Sequence, residues 1–230
     1  MRIIASTAEG IYELLVAGPW DYVYVANMGS KDNSVNIKND TPRYHHGDLR
    51  GALIAAGLEL IKERAADDLS LREVARHVGV SATAIYRHFP DKQALLFALC
   101  ERGAQDMAAL QQAAVDEAGG GEAGFRAAGR AYILFALANP GLYRLMMATK
   151  ASADHYDANA SAMEAPMTIL HNCVSAVLPA GAGPLQHKVT GLHAWSMVHG
   201  ISMLMLDGLV APDGEVIDAL VQMPIDRRGQ

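Results

Sequence analysis

The stretch VSATAIYRHFPDKQALL, residues 80–96, places basic and aromatic side chains around a few apolar residues. Ser81 can accept a hydrogen bond from the free backbone N–H groups that begin a helix. Pro90 ends that helix, and Asp91 can cap the next one. The stretch therefore predicts a very short helix, rich in polar side chains, followed directly by a second helix.

The residues just before this stretch predict another short helix that ends in a tight turn. Ser70 and Glu73 have the spacing of a capping box, in which each side chain binds a free backbone N–H of the first turn. Gly79 ends this helix, since glycine adopts the left-handed conformation without a steric penalty. The two short helices and their turn predict a helix-turn-helix, whose second helix enters the major groove of DNA.

Further helices are predicted on both sides of this motif. Before it, apolar residues recur every three or four positions from Asp48 onward, as on one face of a helix. After it, Ala-rich segments with Gly and Pro breaks predict one helix from Asp91 to a break at 119–122, and others near 122–138, 140–149, 160–178, 184–208 and 214–223. Strand-like alternation is scarce. We therefore predict an all-α fold.

The charges are unevenly distributed along the 230 residues, which together carry a net charge of −6. Residues 41–92 hold eight Lys/Arg against seven Asp/Glu, and four of the nine histidines, whereas residues 93–230 hold eight against thirteen. The local balance bears more on DNA binding than the total charge does. The helix-turn-helix segment is the least acidic part of the chain.

The uncharged runs at 165–187 and 189–206 contain prolines, histidines and other polar residues, so they predict buried helices rather than membrane spans. Cys100 and Cys173 have no metal or redox spacing and are expected to be reduced core thiols of a cytoplasmic protein. Residues 1–42 form a poorly defined extension whose polar part, 29–42, predicts a linker. A natural start at Met28 is an alternative, in which case residues 1–27 are an artefact.

Residues about 45–105 resemble the DNA-binding domain of the TetR/AcrR family of bacterial transcriptional regulators. The resemblance rests on SLREVARHVGVSATAIYRHFPDKQALL, residues 70–96, above all on its Tyr-x-His-Phe block followed by Pro-Asp-Lys. It implies a three-helix helix-turn-helix domain, placed at 43–105, followed by a helical effector-binding and dimerisation domain at 106–230. The expected partners are a pseudo-palindromic double-stranded operator and a second copy of the chain, with no membrane.

Candidate DNA contacts follow from the position of each residue in the motif. Small and hydrogen-bonding residues early in the second helix suit base edges, and flanking polar residues suit phosphates. The base-side candidates are Ser81, Ala82 and Thr83, and the phosphate-side candidates are Tyr86, Arg87, His88 and Lys92. The resemblance adds Arg72 as a base or phosphate contact. It leaves His88 as either a phosphate contact or a packing residue.

A second candidate contact lies in PRYHHGDLR, residues 42–50, just before the first helix. Arg43 could lie in a minor groove, as basic arms do. The alternative is that this segment only packs at the helix N-terminus, where Asp48 is favourably placed.

The segment HAWSMVHGISMLMLDG, residues 193–208, resembles the Trp–His–Gly signature of one C-terminal domain class of these regulators. Trp195 and His199 are four residues apart and so share a helix face. They either hold the core together through an internal hydrogen bond or line an effector pocket. Gly200 is expected to let another helix approach closely.

Other candidates for the effector pocket are aromatic, Met and His residues, which in the alternative are ordinary core. They are Tyr132, Phe135, Tyr143, Met146, Met147 and His171. Three histidines, His171, His193 and His199, lack a carboxylate or Cys at a diagnostic spacing, so no metal and no cofactor is expected.

We predict a DNA-binding transcriptional regulator, a repressor released by a small apolar or aromatic effector that the sequence does not identify. The alternatives are a DNA-binding regulator without an effector, or an activator. No nucleophile motif, phosphate-binding Gly loop or paired carboxylates indicate an enzyme. A homodimer is predicted through the helices near 184–208 and 214–223, whose apolar residues include Leu192, Met197, Leu204, Leu206, Leu209, Ile217, Leu220 and Val221.

Overall fold

The computed structural model describes residues 48–62, 66–148 and 163–222, together with three short strands nearer the N-terminus. The strands β1 (Ile4–Ala5), β2 (Ile11–Leu14) and β3 (Tyr24–Asn27) pair antiparallel in the order β1-β2-β3. The chain divides into two compact units, Met1–His45 and His46–Gln230. The sequence had not predicted this small sheet, because its strands are too short to show a clear alternation of apolar and polar residues.

The described part of the second unit is helical, which confirms the predicted fold class. A 3₁₀ turn at Ala66–Asp68 lies between its first two α-helices. The α-helices among the described residues are α1 (Leu49–Leu60), α2 (Leu71–Val78), α3 (Ala82–Tyr86), α4 (Lys92–Glu117), α5 (Gly121–Ala138), α6 (Pro140–Ala148), α7 (Glu164–Val177), α8 (Pro184–Leu206) and α9 (Gly214–Gln222).

The helix-turn-helix has the capping residues that the sequence predicted. The Ser70 hydroxyl accepts a hydrogen bond from the Glu73 N–H at 3.2 Å, and Ser81 does the same for Ala84 at 3.2 Å. Gly79 ends α2 with φ at 80°, in the left-handed region. These local hydrogen bonds satisfy backbone groups that a helix end leaves free, so they fix both ends of the turn.

Fully buried apolar side chains hold the three short helices together. Helix α1 packs against α2 and α4, and α2 packs against α3. Leu53, Val74 and Ile85 supply one buried side chain from each of the three helices, and each is 0% exposed. Phe89, which follows α3, is 1% exposed, and the Arg50 guanidinium lies over its ring, 5.4 Å from the centroid.

Helix α4 joins this part of the chain to the remaining helices. It runs without a break through residue 105 and packs against α1, α5, α6 and α7. Helix α6 contacts the 3₁₀ turn Ala66–Asp68, so a second connection links the two parts. The boundaries predicted at residues 42/43 and 105/106 stay predictions.

Helix α5 is central to the C-terminal part and packs against α4, α7, α8 and α9. The prediction that another helix approaches Gly200 closely is wrong within the chain, because a Cβ there would meet no described atom within 4 Å. The close approach occurs instead at Gly103, where a Cβ would lie 2.9 Å from Leu142 Cδ2. Within the described ranges no helix is long and apolar enough to cross a membrane.

Candidate functional site

The α3 surface, defined as the exposed side chains of residues 81–83 and 86–88, faces solvent beside α2. Ile85 is fully buried and anchors the helix from below. Tyr86 is 48% exposed, although it is a large aromatic side chain. The exposed residues that the sequence had proposed as DNA contacts are Arg72, Ser81, Ala82, Thr83, Tyr86, Arg87 and His88. Because His88 is exposed, it is not a packing residue. Its neighbour Phe89 is the buried side chain.

Two candidate contacts already have partners within the chain. The Ser81 hydroxyl oxygen accepts the N–H of Ala84, which leaves its proton free to be donated. Lys92 is half-buried, and its ammonium group donates to the carbonyl oxygen of Asp67 in the 3₁₀ turn. An ammonium group has three N–H donors, so two remain for a phosphate. Arg43 lies outside the described residues.

Arg76 extends the cationic side chains of α2 and was not proposed from the sequence. Its side chain is 81% exposed. One guanidinium nitrogen lies 3.9 Å from a Glu73 carboxylate oxygen, which is a long ion pair. Arg72 and Arg76 are four residues apart and so share a face of α2. That spacing was the signal that could have found Arg76.

The C-terminal part contains a polar cluster, the Tyr–His network, formed by the buried Tyr132 and Tyr143 and the half-buried Trp195 and His199. The Tyr143 hydroxyl lies 2.8 Å from Nδ1 of His199 and 3.1 Å from the Tyr132 hydroxyl. The Trp195 Nε1–H donates to the Tyr132 hydroxyl at 3.3 Å. Residues from α5, α6 and α8 therefore meet at one point.

The donors in this network have a consistent direction. An indole N–H can only donate, so the Tyr132 hydroxyl accepts from Trp195 and can donate its own proton to Tyr143 or to Nδ1 of His199. When Tyr143 donates to Nδ1 of His199, the ring proton lies on Nε2. Burial raises the pKa of Tyr132 and of Tyr143, so both hydroxyls stay protonated near neutral pH. The two hydroxyls, the indole N–H and Nδ1 of His199 are therefore bonded to one another.

A largely apolar pocket lies beside this network, with a cavity volume of about 50 Å³. Of the proposed effector-binding residues, Tyr132 and Trp195 line it. The residues that the sequence did not indicate include Gln111 from α4, Phe125 from α5, and Met167, Leu170 and Cys173 from α7. They come from three helices with no shared motif, so no short pattern in the sequence could have grouped them.

The remaining candidates lie elsewhere. Phe135 and Tyr143 are 3% and 0% exposed in the core, where Met146 is also buried, and Met147 is half-buried against the core. The His171 side chain is exposed, and its ring stacks on that of His187 at 6.3 Å. In the parts of the chain that the structure describes, no group of three or more His, Cys, Asp or Glu side chains could hold a metal ion.

Gln111 is the polar residue of α4 in the pocket wall, and it is 6% exposed. Its Nε2 donates to the Ala128 carbonyl oxygen at 3.3 Å. Its Oε1 is buried and has no hydrogen-bond partner among the described residues. Burial also raises the pKa of the Cys173 thiol in the same wall, so this sulfur stays protonated.

Family models match two parts of the chain. The model described as "Bacterial regulatory proteins, tetR family" matches residues 53–99, and the model described as "Tetracyclin repressor-like, C-terminal domain" matches residues 125–227. A curated relative, the tetracycline repressor protein class G of Vibrio anguillarum, is 48% identical over 52 residues. That match covers 23% of this chain and only 25% of the relative.

Solved structures share the fold over most of the chain. A protein of unknown function from Rhodococcus sp. RHA1 is 33% identical, with a TM-score of 0.66, over 80% of this chain and 93% of the other. A tetR-family transcriptional regulator from Streptomyces coelicolor has 22% identity and a TM-score of 0.57, over 75% of this chain and 78% of the other. The chain belongs to the tetR family of bacterial regulatory proteins, a family of DNA-binding transcriptional regulators.

Proposed function

We propose that this protein represses transcription by binding a pseudo-palindromic operator as a homodimer, and that a small apolar or aromatic effector releases it. The observation that carries the DNA-binding part is the α3 surface, which exposes polar side chains on a helix fixed by the buried Ile85. Residues 81–83 would read base edges, and Tyr86 and Arg87 would bind phosphates. The protein would act in the cytoplasm by binding and not by catalysis.

Selection of genomic DNA fragments with the purified protein tests this proposal. Enriched fragments should share an inverted repeat whose half-sites lie about 34–36 Å apart, one turn of DNA. Arg87→Ala should weaken binding to the enriched site, whereas Lys188→Ala, which removes an exposed cation on α8, should not. Enrichment without a shared sequence would contradict specific recognition. A reporter gene behind the selected site then separates a repressor from an activator.

An apolar stripe along α8 supports the homodimer. Leu185, Val189 and Leu192 are 74%, 56% and 49% exposed, on the face opposite the buried residues of the same helix. Gly200 continues this stripe, and the open space beside it leaves room for a helix of a second copy. A single helix-turn-helix reads few base pairs, so two copies on a two-fold site supply the specificity.

The oligomeric state can be measured directly by sedimentation. The protein should be a dimer at micromolar concentration, and Leu192→Glu should shift it toward monomer by placing a charge in the interface. The same substitution should leave the helical circular dichroism signal unchanged, because Leu192 is 49% exposed in the single chain. A parent protein that sediments only as a monomer would contradict the proposal.

Two contacts connect the pocket to the DNA-binding part. Gln111, in the pocket wall, belongs to α4, which begins directly after the α3 surface. Tyr132, also in the wall, binds Tyr143 on α6, and α6 contacts the 3₁₀ turn that Lys92 binds. A ligand that fits the pocket better in one spacing of the two α3 surfaces would shift the dimer toward that spacing.

A melting scan distinguishes this regulator from one without an effector. A ligand that binds only the folded protein raises the melting temperature by mass action. An effector should also lower operator affinity roughly 5–150-fold, which corresponds to a coupling of about 1–3 kcal/mol. A compound that raises the melting temperature without changing operator affinity would contradict control through the pocket.

A further inference from the structure

The pocket wall contains one buried acceptor that nothing in the described chain satisfies. Gln111 is 6% exposed, and its Oε1 has no hydrogen-bond partner within residues 48–62, 66–148 and 163–222. Buried polar atoms are almost always hydrogen-bonded, because an unmade bond costs the full desolvation of the group. A hydrogen-bond donor from a bound molecule could therefore satisfy this oxygen.

A flip of the Gln111 side-chain amide would not satisfy its unpaired oxygen. Its Nε2 donates to the Ala128 carbonyl oxygen at 3.3 Å. Exchanging the two ends would place Oε1 against that carbonyl, and two acceptors with no proton between them repel each other. The bond to the Ala128 carbonyl thus fixes the orientation of the Gln111 amide and leaves its Oε1 unpaired within the described residues.

Two other polar groups of the wall have partners within the chain, although the Arg126 guanidinium keeps further N–H donors. The Trp195 N–H donates to the Tyr132 hydroxyl, and the Arg126 guanidinium is paired with the Glu122 carboxylate at 2.5 Å. Apolar side chains surround them, among them Phe125, Met167 and Leu170. An occupant of this pocket meets a mostly apolar wall with one free acceptor.

We infer that the pocket selects a neutral, apolar or aromatic ligand that carries one N–H or O–H donor, which Gln111 Oε1 accepts. This inference rests on the proposed control by an effector. A carboxylate is disfavoured next to Gln111, because its oxygens would face the Gln111 oxygen without a proton between them. Because Gln111 belongs to α4, the bond would attach the ligand to the helix that leads to the α3 surface.

Two bicyclic probes of nearly the same shape test the donor requirement. Indole has an N–H where benzofuran has an oxygen, so only indole can donate to Gln111. Calorimetric titration of the full chain should show indole binding about tenfold more tightly than benzofuran, since a ligand that leaves a buried acceptor unpaired loses about that much affinity. In Gln111→Met, which has a side chain of similar size but no oxygen acceptor, indole should lose its advantage and bind no more tightly than benzofuran, because its own N–H is then unpaired.

Three results would overturn the inference. They are equal binding of both probes to the parent, a preference for indole that persists in Gln111→Met, and no binding of either probe up to its solubility limit. The ligand-free melting temperature of Gln111→Met supplies a further measurement. It should stay close to that of the parent, because the variant loses the bond to the Ala128 carbonyl but no longer buries an unpaired oxygen, and a folded variant makes the probe affinities comparable.

Failure of this inference is distinguishable from failure of the proposed function. Operator affinity is measured with and without saturating indole, in the parent and in Gln111→Met. If indole binds through Gln111 but leaves operator affinity unchanged, the ligand assignment holds and the control of DNA binding is wrong. If indole and benzofuran both release the operator equally well, the control holds and the role of Gln111 is wrong.

Discussion

The α3 surface and the Tyr–His network use polar side chains in opposite ways. Beneath the α3 surface the apolar side chain of Ile85 is buried, while Tyr86 and its polar neighbours in the surface are exposed to solvent. In the network the hydroxyl of Tyr143 is buried and bound to His199 at 2.8 Å. A long polymer such as DNA can be bound by an outward-facing surface. A small molecule must be enclosed, so most polar groups near its pocket are buried and bonded to one another, and the Gln111 oxygen is the exception among the described residues.

This difference predicts which substitutions cost stability and which cost only binding. An exposed side chain is solvated in both the folded and the unfolded protein, so its removal changes the free energy of unfolding little. A buried hydroxyl that is removed leaves its partners unpaired. The experiments that follow compare inward-facing and outward-facing residues, from the largest expected effect to the smallest.

The largest effect is expected beneath the α3 surface itself. Phe89→Ala removes a ring that is 1% exposed and should lower the free energy of unfolding by about 3–5 kcal/mol. It also removes the aromatic face on which Arg50 lies. Urea denaturation measures the loss, and operator binding should decrease with it because α3 loses its support. A stable variant with normal DNA binding would contradict the assignment of Phe89 to this core.

Two matched Tyr→Phe substitutions separate the two regions. Tyr143→Phe removes the hydroxyl that joins Tyr132 to His199, and should lower the free energy of unfolding by about 1–3 kcal/mol. Tyr86→Phe removes an exposed hydroxyl and should change it by less than about 0.5 kcal/mol. Operator binding should show the reverse order, with the larger loss in Tyr86→Phe. Equal effects of both variants on both measurements would remove the basis of the comparison.

Lys92 is intermediate between the inward-facing and the outward-facing residues, because it is half-buried and donates to the Asp67 carbonyl. Lys92→Ala should weaken binding to every DNA sequence and make the dependence of log K on log salt shallower by about one unit. It should also lower the free energy of unfolding by about 0.5–1.5 kcal/mol. Arg87→Ala, at an exposed position, should likewise weaken DNA binding and its salt dependence but leave the free energy of unfolding unchanged. An unchanged salt dependence in Lys92→Ala would show that its ammonium group serves only the fold.

The smallest effect is a decrease in stability at high pH. Burial, and secondarily the neighbouring Tyr132, raise the pKa of Tyr143 above its usual value of 10.0. The unfolded protein releases this proton near pH 10 while the folded protein retains it, so stability is full below pH 10 and is lost as the pH rises further. The stability advantage of the parent over Tyr143→Phe should shrink by about 0.4 kcal/mol at pH 10 relative to pH 8. An advantage that does not depend on pH would contradict this.

The helix-turn-helix could be predicted closely from the sequence because its structure is determined locally. Ser70, Gly79, Ser81 and Asp91 act on backbone groups within three residues, and all four occupy the cap positions that the sequence indicated. The exposed face follows once the helix bounds are known. Lys92 shows the limit, since its bond to Asp67 spans 25 residues and has no signature in the sequence.

The effector pocket could be predicted only in part, because its walls come from distant segments. The pairing of Trp195 with His199 on one helix face was evident, but the bond from Trp195 to Tyr132 spans 63 residues. Nothing in the sequence marks Gln111, since glutamine on a long helix is ordinary at an exposed position. Its unpaired oxygen becomes visible only when α5 and α7 are packed against α4.

The measurement that tests the central claim most directly is the base preference of the α3 surface. Operator variants carrying each of the four base pairs at every position of one half-site are titrated with the parent and with Thr83→Ala. We expect the parent to lose about 1–3 kcal/mol for a mismatch at each contacted position. Thr83→Ala should lose its preference at one position and keep it at the others. If Thr83→Ala retains the parent's preference at every position, α3 does not read DNA in the way proposed here.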